Sequence, residues 1–170
     1  IQEDIGERVS HVVVMGMGEP LDNYENLIKF LELLTDENGL HISQRNITVS
    51  TCGIIPNMRR LAREKLQITL AVSLHAATQE KRRELMPVAN KYEIHELMEA
   101  CREYFANTGR RVTFEYSLVS GVNDGAKDAV QLAGLLKGMN CHVNLIPVNP
   151  IRERDYVQSG SRGVVAFKDK

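Results

Sequence analysis

The chain is poor in cysteine, and its few cysteines do not form a motif. Cys52, Cys101 and Cys141 are odd in number and far apart, and no pair has C-x-x-C spacing. A disulfide framework is therefore not expected, and the cytoplasm is the natural compartment. Local spacing offers no metal site either, because metal-binding motifs usually place two ligands within a few residues of each other.

Long apolar runs, a leader segment and an excess of charge of one sign are also missing. No apolar run approaches the roughly 20 residues that a membrane-spanning helix needs, so no membrane association is expected. No basic stretch followed by an apolar one opens the chain, so nothing suggests secretion. With 21 Lys and Arg against 22 Asp and Glu, the net charge is −1. This balance argues against a strongly basic nucleic-acid-binding module.

The length allows one domain, and both ends look cut. The chain has 170 residues, enough for one sizeable core and too few for two large ones. It begins at Ile1 without a methionine, and residues 164–170 resemble the opening of a helix. We therefore expect a single domain over residues 1–170, truncated at both ends and taken from a longer protein.

What the chain does have is a β-branched run that ends in glycines, an acid and a proline. Residues 12–20, VVVMGMGEP, predict a fully buried parallel strand followed by a turn. Glycine lets a ligand approach the backbone, and Glu19 adds a carboxylate at the strand's carboxyl end. A plain strand-to-turn junction explains the same residues. No dinucleotide-binding or P-loop fingerprint follows.

Strand-like and helix-like segments alternate along the rest of the chain. This alternation predicts an α/β fold with about five parallel strands joined by right-handed crossovers. The charged segment 79–84 is interpreted as a solvated helix face, and 152–162 as a polar loop. Cys101 is expected in the core of a helix at 92–106. The predicted strands are 12–15, 46–53, 66–75, 111–119 and 142–147.

Polar residues gather where the predicted strands end. Parallel strands bring their carboxyl ends to one edge of a sheet. A carboxylate there can hold an ammonium group, and hydroxyls and backbone N–H groups can hold a carboxylate or a ribose, so the set suits a polyfunctional small molecule. Each residue also has a structural explanation: the serines as small residues that close strands, the histidine at a rim, the asparagine in a turn. The candidates are Gly18, Glu19, Ser50, Ser73, Leu74, His75 and Asn149.

Four motifs, in order along nearly the whole chain, resemble the RlmN/Cfr family of radical S-adenosylmethionine enzymes. They are MGMGEPL at 15–21, TVSTCG at 48–53, SLHA at 73–76 and NLIPVNP at 144–150. The resemblance implies a partial (β/α)6 barrel with S-adenosylmethionine across its strand ends. Gly18 and Glu19 would bind the methionine amino group, and Ser50, the segment 73–75 and Asn149 would complete the pocket.

The resemblance also implies an activity and partners for the whole protein. The expected reaction is methylation of C2 of an adenine in 23S rRNA, and of tRNA as a second substrate. The resistance-type relatives act on C8 of the same base. An electron donor such as flavodoxin would supply the electron. Arg82, Arg83, Arg110 and Arg111 could contact RNA, but a solvated surface explains them better.

This chain departs from the family pattern at the catalytic cysteines. The family holds a [4Fe-4S] cluster with a C-x3-C-x2-C loop and uses two further cysteines, and neither feature is present here. No catalytic role or metal ligand is therefore assigned to this chain, which we expect to be inactive by itself. We also expect the strand at 12–15 to expose an edge through which copies self-associate.

Two other interpretations compete with the methyltransferase. One is a non-catalytic α/β module that binds a nucleotide-like ligand or a partner protein. The other is a radical enzyme of another type, such as an activase, which would share the glycine-rich, acidic strand end. The segments SLHA and IPVNP favour the methyltransferase over the activase.

Overall fold

A parallel sheet forms the centre of the chain. The structure is a computed structural model that describes residues 2–149 and 156–170. The predicted α/β fold with about five parallel strands is confirmed: neighbours in sequence are neighbours in the sheet, and every pairing is parallel. The strands are β1 (Val12–Val14), β2 (Ile47–Thr51), β3 (Thr69–Ser73), β4 (Val112–Leu118) and β5 (Cys141–Pro147).

Helices follow the strands in the described part of the chain. Three short 3-10 turns, at Pro20–Asn23, Gln44–Asn46 and Pro87–Asn90, complete the connections. None of the described helices is both long and apolar enough to cross a membrane. The α-helices are α1 (Gln2–Ile5), α2 (Tyr24–Thr35), α3 (Ile55–Arg63), α4 (Gln79–Leu85), α5 (Ile94–Thr108), α6 (Ala126–Leu136) and α7 (Ser161–Lys168).

The two faces of the sheet differ in composition, because successive strand residues point to opposite sides. One face is apolar and packs against the helices: Leu70 and Phe114 are fully buried there in one cluster with Leu97 of α5. The other face carries small and polar residues such as Ser50 and Ser73, which are half-buried. Only one face is therefore covered by helices among the described residues.

The first strand is less buried than its sequence predicts. The run of valines indicates a strand buried on both faces, but Val13 is 57% exposed. The prediction is wrong because β1 lies at the edge of the sheet and one of its faces is uncovered. Val12 and Val14, on the covered face, are half-buried.

Two other segment predictions need correction, and one is confirmed. The segment 79–84 lies in α4, but it is not simply a solvated face: Lys81 pairs with the buried Asp128 at 2.5 Å, and Arg82 is fully buried. Residues 152–155 of the predicted loop 152–162 lie outside the described residues. Its last two residues, 161–162, belong to α7, which begins at Ser161. Cys101 is fully buried in α5, as expected.

Candidate ligand-binding site

A pocket of about 250 Å³ opens where β1, β2 and β3 end. Its walls come from the turn after β1, from the last residues of β2 and β3, and from the middle of β4, with Ile146 contributed by β5. Among its lining residues are five that the sequence predicts as ligand-binding: Gly18, Glu19, Ser50, Ser73 and His75. The topology thus brings together side chains that are up to about 60 positions apart in the sequence, because parallel strands all end at one edge.

The Glu19 carboxylate is held in place by two backbone N–H groups. Leu21 N donates to its Oε1 at 3.0 Å, and Cys52 N donates to its Oε2 at 2.6 Å. The first contact caps the 3-10 turn that follows β1, and the second ties this turn to the end of β2. A carboxylate oxygen can accept more than one hydrogen bond. Glu19 is therefore a pre-positioned anion with acceptor capacity left for a cationic ligand group.

His75 presents a neutral imidazole to the pocket. Ser117 N donates to its Nδ1 at 3.0 Å, so the ring proton sits on Nε2, which is free to donate. Burial, with a smaller contribution from the nearby Arg82 guanidinium, lowers the pKa of His75 to about 4. The backbone at His75 is left-handed, with φ of 56°. Both the Leu74 and His75 amides donate to the carbonyl of Glu115, which fixes this turn.

Asn123 supports the histidine turn from behind, although it is not among the residues that the sequence predicts for the site. Its fully buried side chain donates at 2.7 Å to the carbonyls of both His75 and Ser117, and accepts from Val119 N. The Tyr116 hydroxyl also donates to the Asn123 carbonyl. The glycines and polar residues of the segment 121–125, GVNDG, are typical of a turn, but nothing local in them shows that the Asn123 amide reaches His75 just after β3.

Three other residues bear on the pocket: Leu74 and Asn149, which the sequence predicts as ligand-binding, and Glu115, which it does not. Leu74 is fully buried in the core, so it offers only backbone atoms at the turn. Asn149 is described and exposed, but it is not among the residues that line this pocket. Glu115, which the sequence analysis did not single out, lines the pocket and accepts a hydrogen bond from Asn144 Nδ2 at 2.8 Å. The pocket therefore contains two carboxylates.

Arg82 corrects the surface interpretation of the basic residues. It is fully buried, and its Nη2 donates to the Cys52 carbonyl at 2.8 Å. It is therefore neither a solvated residue nor an RNA contact. Its neighbour Arg83 is exposed and pairs with Glu93, and Arg111 is exposed, as the surface interpretation predicted.

An iron–sulfur cluster does not fit the described part of the chain. Among residues 2–149 and 156–170 no group of three or more His, Cys, Asp or Glu side chains could hold a metal ion. Burial and, to a smaller extent, the neighbouring Glu19 carboxylate raise the pKa of the Cys52 thiol to about 12. Burial likewise raises the pKa of Cys101 to about 12.

Comparison with known protein families identifies the superfamily of this chain. Residues 1–133 match the Radical SAM superfamily. The chain therefore belongs to that superfamily.

Within the superfamily, the RlmN/Cfr resemblance is confirmed. Relatives from Lachnospira eligens and Clostridium novyi are 66% and 56% identical over 170 and 168 residues. Both are named "Probable dual-specificity RNA methyltransferase RlmN". The matches cover 100% and 99% of this chain and 49% of each relative. The chain thus spans about half the length of the curated relatives it matches.

Solved structures confirm the radical SAM barrel fold. A radical SAM methyltransferase from Sphaerobacter thermophilus superposes with a TM-score of 0.94 at 46% identity, covering 98% of this chain and 49% of that one. A domain of a pyruvate-formate lyase-activating enzyme from Bacteroides vulgatus superposes with a TM-score of 0.66 at 18% identity, covering 95% and 94%. The second likeness shows the fold alone and gives no support to the activase interpretation.

Proposed function

We propose that this chain forms the S-adenosylmethionine-binding part of a radical S-adenosylmethionine RNA methyltransferase. The observation that carries the proposal is the Glu19 carboxylate, which two backbone amides hold in the wall of a pocket at the ends of β1, β2 and β3. A fixed, partly unsatisfied carboxylate beside hydroxyls is suited to a ligand that carries an ammonium group. The named function of the relatives supports the same ligand.

The donor set of the pocket fits the different parts of S-adenosylmethionine. Glu19 would accept from the methionine ammonium group, and Gly18 would let the ligand approach its backbone without a Cβ in the way. The Ser50 and Ser73 hydroxyls and the Nε2–H of His75 supply donors for oxygen or nitrogen atoms of the ligand. The backbone of Leu74 would join them, and Asn149 is proposed from the family motif alone. When bound, S-adenosylmethionine supplies a methyl group or, after reductive cleavage, a radical.

The described residues would hold the ligand and place a neutral hydrogen-bond donor, the His75 ring, beside it. Because the pKa of His75 is about 4, its ring carries no charge at neutral pH and does not repel the positively charged sulfonium of the ligand. No iron–sulfur step is assigned to these residues, since they offer no thiolate cluster. We propose that the [4Fe-4S] ligands and the catalytic cysteines lie in the rest of the protein, and that residues 1–170 are one truncated core domain.

For the whole protein we propose methylation of adenine C2 in 23S rRNA and in tRNA. The word "dual-specificity" in the names of the relatives supports two kinds of RNA substrate. C8 methylation, as in the resistance-type relatives, is the alternative. Incubating the complete gene product with rRNA and tRNA transcripts, then comparing digests with 2-methyladenosine and 8-methyladenosine standards, distinguishes the two. An electron donor such as flavodoxin and a cytoplasmic location belong to the same proposal.

The binding proposal is tested by replacing the carboxylate. Glu19→Gln keeps the size but removes the charge, and its NH2 group would face a backbone N–H. Hydrogen bonds to charged groups contribute about 1.5–3 kcal/mol, so we expect S-adenosylmethionine to bind about 10- to 100-fold more weakly. Calorimetry on the complete gene product measures this.

The matched control for that experiment is Glu25→Gln. Glu25 lies six residues further on, in α2, and pairs with Arg60 on the surface. This variant should bind S-adenosylmethionine like the unchanged protein. Equal affinities for Glu19→Gln and Glu25→Gln would refute the assignment of Glu19.

We further propose that the 170-residue chain self-associates through β1. This strand has no neighbour on its outer side among the described residues, and Met15 and Met17 beyond it are 56% and 106% exposed. Unpaired strand edges with apolar side chains pair readily with other chains.

A further inference from the structure

Arg82 is a buried cation with few partners. Its side chain is 0% exposed, and its Nε and Nη1 are buried without a hydrogen-bond partner in the described part of the chain. Among the described residues it forms no ion pair with a carboxylate. Burying an unpaired charge is unfavourable, and apolar residues of similar volume are often equally stable or more stable at such places. The buried guanidinium therefore needs an explanation other than stability.

The contacts that Arg82 does make are with the ends of two strands. Its Nη2 donates to the carbonyl of Cys52, just after β2, at 2.8 Å, and lies 3.4 Å from the carbonyl of Ser73, the last residue of β3. Gly53 makes room for it: a Cβ there would lie 3.3 Å from Nη2 and 2.8 Å from Leu97 Cδ1. The guanidinium thus lies directly behind the wall of the pocket.

The same residue, Cys52, links Arg82 to the pocket carboxylate. Its carbonyl accepts from Arg82, and its amide N–H donates to Glu19 Oε2 at 2.6 Å. Both contacts fix the backbone of one residue, one from behind the pocket and one from inside it. A shift of Cys52 would therefore move the N–H that orients Glu19, while the Ser50 and Ser73 hydroxyls belong to strands held by the sheet itself.

We propose that Arg82 is a positioning residue of the pocket: by fixing the backbone of Cys52, it holds the Glu19 carboxylate where it accepts the ammonium group of the ligand. This inference rests on the proposed binding of S-adenosylmethionine. It predicts that Arg82 matters for the amino-acid end of the ligand and much less for its adenosine end.

Two probes separate these ends. S-adenosylhomocysteine carries the ammonium and carboxylate groups, and 5′-methylthioadenosine lacks both. We expect Arg82→Met, which fills the space without the charge, to weaken S-adenosylhomocysteine binding about tenfold or more, as loss of a charged hydrogen-bond partner does. Binding of methylthioadenosine should change by no more than about twofold, a difference within the spread of a neutral substitution. Calorimetry on the complete gene product gives both affinities.

Two further variants make the result decisive. Arg83→Met, at the adjacent exposed position, should bind both probes like the unchanged protein. Arg82→Lys keeps the charge and a nitrogen donor but changes the length and shape of the side chain, so it should recover part of the lost S-adenosylhomocysteine affinity. If Arg82→Met does not fold, the ratio of the two affinities in Arg82→Lys decides, and an unchanged ratio would overturn the inference.

Each of the remaining outcomes overturns either the positioning role of Arg82 or the proposed function. Equal losses for both probes in Arg82→Met would show a general structural role and overturn the positioning role. No loss for either probe would do the same. If the unchanged protein binds neither probe, the proposed function itself fails, and this inference fails with it.

Discussion

The same strands contribute apolar side chains to one face of the sheet and polar side chains to the other. On the helix-covered face, Val49 of β2 is the register partner of Leu70 of β3, and Val72 of β3 is the register partner of Phe114 of β4; all four are fully buried. On the other face, Ser73 and Glu115 are register partners, and both line the pocket. The covered face is built from side chains that gain by leaving water, and the pocket face from side chains that need partners.

This difference shows where stability and function are separated in the fold. Alternation along each strand lets one residue stabilise the core and the next one face a ligand. Two of the buried polar side chains, Arg82 and Asn123, lie on the connections between strands rather than in the sheet, and they contact the backbone of Cys52 and His75. They fix the turns that carry the pocket. Buried residues in the connections therefore serve ligand binding as well as the stability of the core.

The largest expected effect comes from the covered face. Phe114→Ala would leave a cavity in the core, and such truncations cost about 3–5 kcal/mol of unfolding free energy. Thr113→Ala, one residue earlier and on the opposite face, should cost less than about 1 kcal/mol. Urea unfolding of both variants measures the difference. Similar losses for the two would mean that the faces do not divide stability as described.

An intermediate effect is expected from pH at the pocket face. Below pH 6.5 the unfolded His75 takes up a proton, whereas the folded ring stays neutral to about pH 4. The folded state is therefore favoured above pH 6.5, and this contribution disappears as pH falls through 4. The shift corresponds to roughly 3 kcal/mol at most.

Two histidine variants isolate this contribution. His75→Asn suits the left-handed backbone, and its side-chain oxygen can replace Nδ1 as the acceptor for Ser117 N. It should flatten the fall in stability between pH 6.5 and 4 in denaturation curves. His142→Asn, at an exposed position on β5, should leave that fall unchanged. If both variants keep the same slope, His75 is not the group that titrates.

The smallest expected effect on stability lies at the open edge. Val13 is 57% exposed, so Val13→Lys should change the unfolding free energy by no more than about 0.5 kcal/mol. A lysine on an edge strand opposes pairing with another chain. Light scattering should therefore show less self-association of the 170-residue chain. Association equal to that of the unchanged chain would contradict the role of β1.

The arginine pair at 82 and 83 shows the limit of sequence interpretation here. Both residues belong to one charged helical segment, and the sequence offers no reason to treat them differently. In the structure Arg83 pairs with Glu93 near the surface, while Arg82 is buried behind β2 and β3. The helical period separates their faces, but which face meets the strand ends depends on how α4 packs after β3.

The sequence by itself determined the alternation of strands and helices, the strand-end motifs and the family. These follow from local patterns: β-branched runs, helical spacing, and glycines beside polar residues. Tertiary structure alone decided that the described helices cover only one face of the sheet, that the Cys52 amide just after β2 holds the Glu19 carboxylate, and that Arg82 and Asn123 support the pocket. These features depend on contacts over 30 to 50 positions of sequence, such as Cys52 to Glu19 and Asn123 to His75. No local pattern encodes such distances, because only the register of the sheet brings the partners together.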